Sequence, residues 1–441
     1  MEVTRCSRAL CEVLRHSTRA SALLLAWAGA VAGQTSAYEL QLSAPTPGTA
    51  SAAAATVPAA AANAVAGAAA VAASAVAPAF TPLPGVLLAP DKPVPRWTGV
   101  PRVSGRLGAA DLGLVINTAD PYSVAVGEHY IRRRALRQQQ VLRLTLPAGA
   151  ALQPAEFEQL RSRINQHFGP GTQALALAWR APYAVACNSI TGALALGFDA
   201  GLCDNGCKPS RLSPYFNSAS SRPFADLGWR PAMLLAANSV EQARELIDRG
   251  VRADHTLARR NRPPVTVLQL LTNDAARRVR TAQYPPAGAL PGLGVQVRVA
   301  PAAELATARR VLLVTTGAVR VDFSARPDWV PGGLGDHLTS VGGALNGGHD
   351  QGTALDWIAS GATASHGTVS EPCNHLQKFP HPQLLLLHYL QGATALEAYW
   401  KSVAWPQQSL FVGEPLAAPF AVPQRPLLGA PRAPPGQRPA P

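Results

Sequence analysis

The segment ASGATASHGTVSEPCNH, residues 359–375, brings together residue types that could carry out covalent catalysis. A cysteine becomes a nucleophile when a nearby base or cation converts its thiol to the thiolate. Cys373 could act in this way, with His337 of the upstream GDHLTSVGG segment accepting and returning the proton. Asp336 or Glu371 could then fix the tautomer of the histidine. This pattern predicts a cysteine-type hydrolase with a Cys-His dyad.

Other groups near these residues could assist the same reaction or bind a ligand. Backbone amides of the glycine-rich segments 332–335 and 342–343 could stabilise an oxyanion. His366 and Asn374 could contact a ligand, although local packing is the alternative role for His366. A metal hydrolase is a further hypothesis, with His337, His375, Asp336 and Glu371 as the ligands. Because no H-x-x-x-H or H-x-H spacing occurs there, we predict neither a metal nor a cofactor.

The two ends of the chain differ in composition from its middle. Residues 1–32 carry several arginines followed by SALLLAWAGAVA, which is the pattern of a signal peptide that is too short to span a membrane. Residues 33–94 are rich in alanine and proline, which is typical of a low-complexity spacer, and 421–441 form a proline-rich tail predicted to be disordered. We therefore expect an exported protein of the periplasm, cell envelope or extracellular space. It has one folded domain at 95–420 and no membrane span after cleavage.

The remaining cysteines give a second interpretation of Cys373. Four lie beyond the predicted signal peptide, and an exported chain meets an oxidising compartment where disulfides form. Three pairings are open. A local Cys203–Cys207 bridge is plausible in GLCDNGCKPS, and a Cys187–Cys373 bridge would exclude a catalytic thiol. A zinc site at the first pair lacks a nearby histidine to complete it.

The charge of the chain does not indicate nucleic-acid binding. The formal net charge is +13, but the basic residues are nearly all arginine and are scattered along the sequence. With the excess of alanine, this is typical of a GC-rich genome. No nucleic-acid-binding motif accompanies the arginines. We expect no nucleic-acid partner.

Strand-like and helix-like segments alternate through the middle of the chain. Continuous apolar runs of strand length, such as LGLVINTA and RVLLVTTGAV, alternate with amphipathic helical patterns. This alternation predicts an α/β fold with a mostly parallel sheet covered by helices on both faces. Residues 181–230, rich in Pro, Ser, Gly, Asn and Cys, are predicted to form an excursion.

Sites in parallel sheets form beyond the carboxyl ends of strands. That rule selects 117–120, 180–188, 315–337 and 368–375. Asn117 and Asp120 are candidate binding residues, although a helix cap is the alternative role for both, since a capping carboxylate precedes proline there.

Several long segments resemble a family of exported bacterial proteins found in organisms that carry exosortase, an envelope sorting machinery. They include RAPYAVACNSITGALALGFD, GDHLTSVGG, ASGATASHGTVSEPCNH, KFPHP and LEAYWKSVAWPQQSLFVGEPLAAPF. The resemblance extends over roughly 110–420. It implies export and a link to the cell envelope or its polysaccharide, and it implies no particular reaction.

A second resemblance is to gingipain-type cysteine peptidases. VINTADPYSVAVGEHYIRRRALRQQQVLRLTLP is similar to the start of these enzymes, and FVGEP is similar to their terminal strand and turn. It implies a caspase-like three-layer fold, with a histidine beyond one parallel strand and a cysteine beyond the next. The chain has TTGAV where the peptidases have His-Gly. In an alternative alignment Thr339 or Ser340 takes the place of the thiol, and the site is then degenerate.

Two functions follow from these patterns. The first is a non-catalytic envelope protein on a degenerate peptidase-like scaffold, which binds a partner protein or a polysaccharide. The second is the cysteine-type hydrolase. A bridged Cys373 favours the first function, and a reactive Cys373 beside His337 favours the second.

Overall fold

The computed structural model of the protein describes residues 96–258, 261–347 and 349–423. The predicted signal peptide at 1–32, the spacer at 33–94 and nearly all of the tail at 421–441 lie outside these ranges. Within them, no helix combines the length and the apolar character needed to cross a membrane.

Strands of two sheets make up the centre of the described structure. The strands are β1 (Leu112–Asn117), β2 (Val141–Leu144), β3 (Ala151–Leu152), β4 (Ala174–Leu177), β5 (Ala184–Val185), β6 (Asn188–Ser189), β7 (Ala232–Leu234), β8 (Val265–Leu271), β9 (Gly288–Leu290), β10 (Val295–Pro301), β11 (Val311–Thr316), β12 (Trp329–His337), β13 (Ala364–Thr368) and β14 (Ser409–Gly413).

Helices connect the strands and cover the main sheet. They are α1 (Pro121–Arg134), α2 (Pro154–His167), α3 (Ile190–Leu196), α4 (Gly201–Asp204), α5 (Pro223–Leu227), α6 (Val240–Ala253), α7 (Ala354–Ser360), α8 (Pro382–Leu390) and α9 (Ala395–Ser402). The Asp120 side chain caps α1, since its Oδ1 accepts a hydrogen bond from the Tyr122 amide at 2.9 Å.

The main sheet has eleven strands in the order β2-β1-β4-β7-β14-β13-β12-β11-β8-β10-β9. Most neighbouring pairs are parallel, whereas β14 runs antiparallel to β13 and β9 runs antiparallel to β10. Every residue of β1, β4, β11 and β13 is buried, as expected for strands covered on both faces. The prediction of an α/β fold with a mostly parallel sheet covered by helices is confirmed.

The chain reverses its direction of growth across the sheet at two places. From β1 it passes first to β2 on one side and then to β4 on the other, and from β8 it passes to β10 and then to β11. At such switch points the flanking loops diverge and leave a crevice at the carboxyl ends of the strands. Both switch points are therefore places to look for a site.

Strand β12 corrects the sequence interpretation. The glycine-rich segment 332–335, whose backbone amides were expected to stabilise an oxyanion, lies within this strand, which pairs in parallel with β11. The glycines serve packing, because a Cβ on Gly335 would lie 2.1 Å from the Trp357 ring and a Cβ on Gly333 would lie 2.5 Å from the Trp329 ring. In the sheet, β12 lies between β11 and β13.

The segment between β4 and β7 contains β5 and β6, two strands of the second sheet, which has the order β3-β5-β6, together with α3, α4 and α5. In this sheet β5 is parallel to β3, which belongs to the chain just after β2. The segments after β2 and β4 are thus tied together beyond the carboxyl ends of these two strands.

Candidate functional site

His337 is the last residue of β12 and is 1% exposed. The Trp357 indole N–H donates to its Nδ1 at 2.7 Å, so Nδ1 must be an acceptor. Its Nε2 lies 2.9 Å from the Gly352 carbonyl oxygen, to which it therefore donates. Burial lowers the pKa of this imidazole. His337 is thus a neutral side chain with both nitrogens occupied, and it has no free lone pair for a thiol proton.

Cys373 lies in the loop after β13 and is joined by a disulfide to Cys207. The second disulfide joins Cys187 to Cys203. All four cysteines are paired, but the expected Cys187–Cys373 and Cys203–Cys207 pairings are wrong.

The physical reason lies in α4, which separates Cys203 from Cys207. Cys203 lies on α4 and reaches the β5–β6 turn, whereas Cys207 lies after it and reaches the loop that follows β13. In this state Cys373 has no thiol that could act as a nucleophile.

Asp336 does not orient His337, contrary to expectation. Successive side chains of a strand point to opposite faces of the sheet, so Asp336 faces away from its neighbour. It is fully buried and forms an ion pair with Arg280 and a 3.2 Å contact with His366 Nδ1. Burial opposes its ionisation, but the Arg280 guanidinium and the His366 hydrogen bond outweigh burial and lower its pKa.

Arg280 belongs to the short 3-10 helix Arg278–Gln283 after β8 and is itself buried. It donates to the carbonyl oxygens of Thr316 at 3.1 Å and Pro380 at 2.8 Å. Arg280 therefore links the segment after β8 to the carboxyl ends of β11 and β12 and to the segment after β13.

His366 lies in β13, two residues beyond Ala364, which pairs with Leu334. An ionised Asp336 can only accept, so His366 Nδ1 carries the proton and Nε2 is left as an acceptor without a partner. The ring contacts Phe379 and Phe411 with centroids 6.1 and 5.5 Å away. Burial lowers its pKa. Because the side chain has no exposed surface, it cannot contact a ligand in this state, contrary to its expected binding role.

The other two residues of the candidate segment stabilise the loop. The Glu371 carboxylate accepts a hydrogen bond from the Cys373 amide at 2.8 Å, and Asn374 donates to the Ala276 carbonyl at 3.3 Å. Neither reaches His337 through a hydrogen bond in the part of the chain that the structure describes. Within the same ranges, no group of three or more His, Cys, Asp or Glu side chains is arranged to hold a metal ion.

Two further histidines, the half-buried His381 and the buried His388, make stability dependent on pH. Burial, with the nearby charge of Arg280, lowers the pKa of His381 to about 4, and burial, with Lys401, lowers that of His388 to about 3. An unfolded histidine titrates near pH 6.5. Between these values the unfolded chain binds more protons, so stability is full above about pH 6.5 and is lost as the pH falls.

We expect each of these two histidines to cost about 2 kcal/mol of unfolding free energy between pH 7.5 and pH 5. Urea unfolding at both pH values measures the difference. His388→Gln should reduce it, and His349→Gln, at an exposed residue, should not. Equal pH dependence in wild type and His388→Gln would contradict the expectation.

A crevice of about 360 Å³ lies at the first switch point, beyond the carboxyl ends of β1, β2, β4 and β7. Its charged and amide side chains are Asn117, Asp120, Arg180 and Asn238, and Tyr122 adds a hydroxyl. The sequence identified the first three through the strand-end rule, either by name or within 180–188. It did not identify Asn238, since the end of β7 was not among the selected segments.

Asn117 is 3% exposed and lines the crevice. Its Oδ1 accepts from the amides of Ala119 at 3.1 Å and Leu146 at 3.0 Å, which fixes the orientation of the side-chain amide. Among the described residues, its Nδ2 donates to no other group. This buried side chain therefore holds the segments after β1 and β2 together, and its amide nitrogen is left without a protein partner at the wall of the crevice.

The walls of the crevice are held by hydrogen bonds. The Tyr122 hydroxyl donates to the Leu235 carbonyl at 3.2 Å and accepts from the Ala237 amide at 2.8 Å, which positions Asn238. On the opposite side, next to the segments 146–149 and 180–181 that line the crevice, the Tyr183 amide donates to the Ala150 carbonyl at 2.8 Å. The crevice is therefore a preformed feature.

No protein-family model matches the chain, and no curated protein matches it. One solved structure, described as "Structure of Protease", is similar with a TM-score of 0.40 and 10% sequence identity. The similarity covers 75% of this chain and 83% of that one. At this level it does not establish a shared activity.

Proposed function

We propose that this chain is an exported, non-catalytic binding protein of the cell envelope that recognises a polysaccharide or a partner protein. The observation that carries the proposal is the state of the expected dyad. The Cys373 sulfur is bonded to Cys207, and both nitrogens of His337 are engaged by Trp357 and Gly352. The two disulfides support export, because such bonds persist in oxidising compartments.

The strand order supports the degenerate alignment. Strands β11 and β12 are parallel neighbours, so the positions that would bear a histidine and a cysteine follow their carboxyl ends. Gly317 and Ala318 follow β11, and Thr339 and Ser340 lie just beyond β12. The Thr339 hydroxyl donates to Gln351 Oε1 at 2.5 Å, so it is held by an amide rather than by a base.

The cysteine hydrolase remains the alternative and makes stronger demands. Cys373 would have to be reduced, and His337 would have to leave a buried position where it has two hydrogen bonds. The Trp357 indole and the Gly352 carbonyl would then lose their partner, and each buried polar group left unpaired is unfavourable by about 1–3 kcal/mol.

Thiol mapping of the folded, non-reduced mature protein tests the proposal. We expect no alkylation of the four cysteines between pH 6 and 8, and a peptide pair linking Cys207 to Cys373 after proteolysis. We also expect no hydrolysis of a peptide library before or after mild reduction. Rapid labelling of Cys373, or hydrolysis that Cys373→Ala abolishes and Cys207→Ala preserves, would overturn it.

A further inference from the structure

The crevice at the first switch point has the chemistry of a ligand site. It is separate from the Cys373 and His337 segments, because its walls come from the segments after β1, β2, β4 and β7. We infer that it binds a hydroxylated carboxylate, such as a sugar acid. This inference rests on the proposed binding function and assigns it a place and a ligand class.

Two residues supply hydrogen-bond donors. Arg180 is exposed, lines the crevice and has no ion-pair or hydrogen-bond partner among the described residues. Its planar guanidinium can meet both oxygens of a carboxylate at once. The free Nδ2 of the buried Asn117 is a second donor. Together they favour a ligand with an anionic acceptor group.

Asp120 adds a negatively charged acceptor to the same crevice. Its Oδ1 accepts from the Tyr122 amide, and its Oδ2 has no partner within the described ranges. A carboxylate accepts hydrogen bonds from hydroxyl groups and repels a second anion. Since Arg180 and Asp120 carry opposite charges, a single carboxylate bearing hydroxyls fits better than a doubly charged phosphate.

The dimensions match a small ligand. Ligand sites typically span about 300–1,000 Å³, and this crevice is near the lower limit. The same chemistry occurs in a free sugar acid and at the end of an acidic polysaccharide, so the two sources need separate probes.

Calorimetric titration of the mature protein with galacturonate and with a short oligogalacturonide tests the inference. We expect binding of at least one probe and no heat with galactose, which lacks the carboxylate. Arg180→Gln should raise Kd about 10- to 100-fold, as expected for loss of a charged hydrogen bond. Arg132→Gln, which replaces an exposed arginine on α1, is the matched control and should leave Kd unchanged.

Asn117→Asp provides a second variant, because it preserves the Oδ1 acceptor and replaces the free donor with a carboxylate. It should also weaken binding, with folding checked by circular dichroism. Binding of galacturonate and the oligomer alike indicates a free sugar acid, and binding of the oligomer alone indicates a polysaccharide; both support the inference. No binding at millimolar probe, or equal Kd in wild type and Arg180→Gln, would overturn it. Hydrolytic activity would instead overturn the proposed function.

Discussion

Asp336→Asn should lower the free energy of unfolding by about 3–5 kcal/mol, because it leaves the buried Arg280 charge without its counter-ion. The carbonyls of Thr316 and Pro380 still accept from the guanidinium, but neither neutralises it. Urea unfolding at pH 7.5 measures the effect. An exposed acid provides the matched control, and Asp322→Asn should change stability by less than about 0.5 kcal/mol.

A double variant separates the charge from the packing. Asp336→Leu with Arg280→Met removes both charges and keeps apolar volume in the sheet, so it should be more stable than Asp336→Asn. A loss below about 1 kcal/mol in Asp336→Asn would show that water reaches Arg280 and would contradict the burial argument.

Removing the Cys207–Cys373 disulfide should have the second large effect. The bond closes a sequence separation of 166 residues, against 16 for Cys187–Cys203. In the chain-entropy account, the longer loop contributes about 5 kcal/mol and the shorter about 3 kcal/mol. The double variant Cys207→Ala/Cys373→Ala should therefore be less stable than Cys187→Ala/Cys203→Ala by about 2 kcal/mol.

Guanidinium unfolding under non-reducing conditions compares the two variants directly. The Cys207/Cys373 variant should remain the less stable of the two even if both stability losses are smaller than the chain-entropy account gives, because the two bonds lie in neighbouring segments of the same protein. A larger loss from the Cys187–Cys203 pair would show that local strain or residual structure in the unfolded chain outweighs loop length.

The sequence predicted part of the switch-point crevice, but it could not predict the hydrogen bonds of His337 or the disulfide of Cys373. Asn117, Asp120 and Arg180 follow apolar runs, and the strand-end rule selects such positions. The orientation of His337, in contrast, depends on Trp357, which lies twenty residues away. The role of Asp336 depends on Arg280, an arginine that no local pattern distinguishes from the others.

The sequence by itself determined the α/β class, because buried parallel strands and amphipathic helices have different hydrophobic periods that a single segment displays. It also determined the start of α1, where Asp120 and a proline supply the cap locally. Only the tertiary structure decided that WVPGGLGDH is a strand, because Gly335 accommodates the ring of Trp357 from α7, a contact that no local pattern displays. It also decided the disulfide pairing, because four cysteines allow three connectivities and only the path of the chain around α4 distinguishes them.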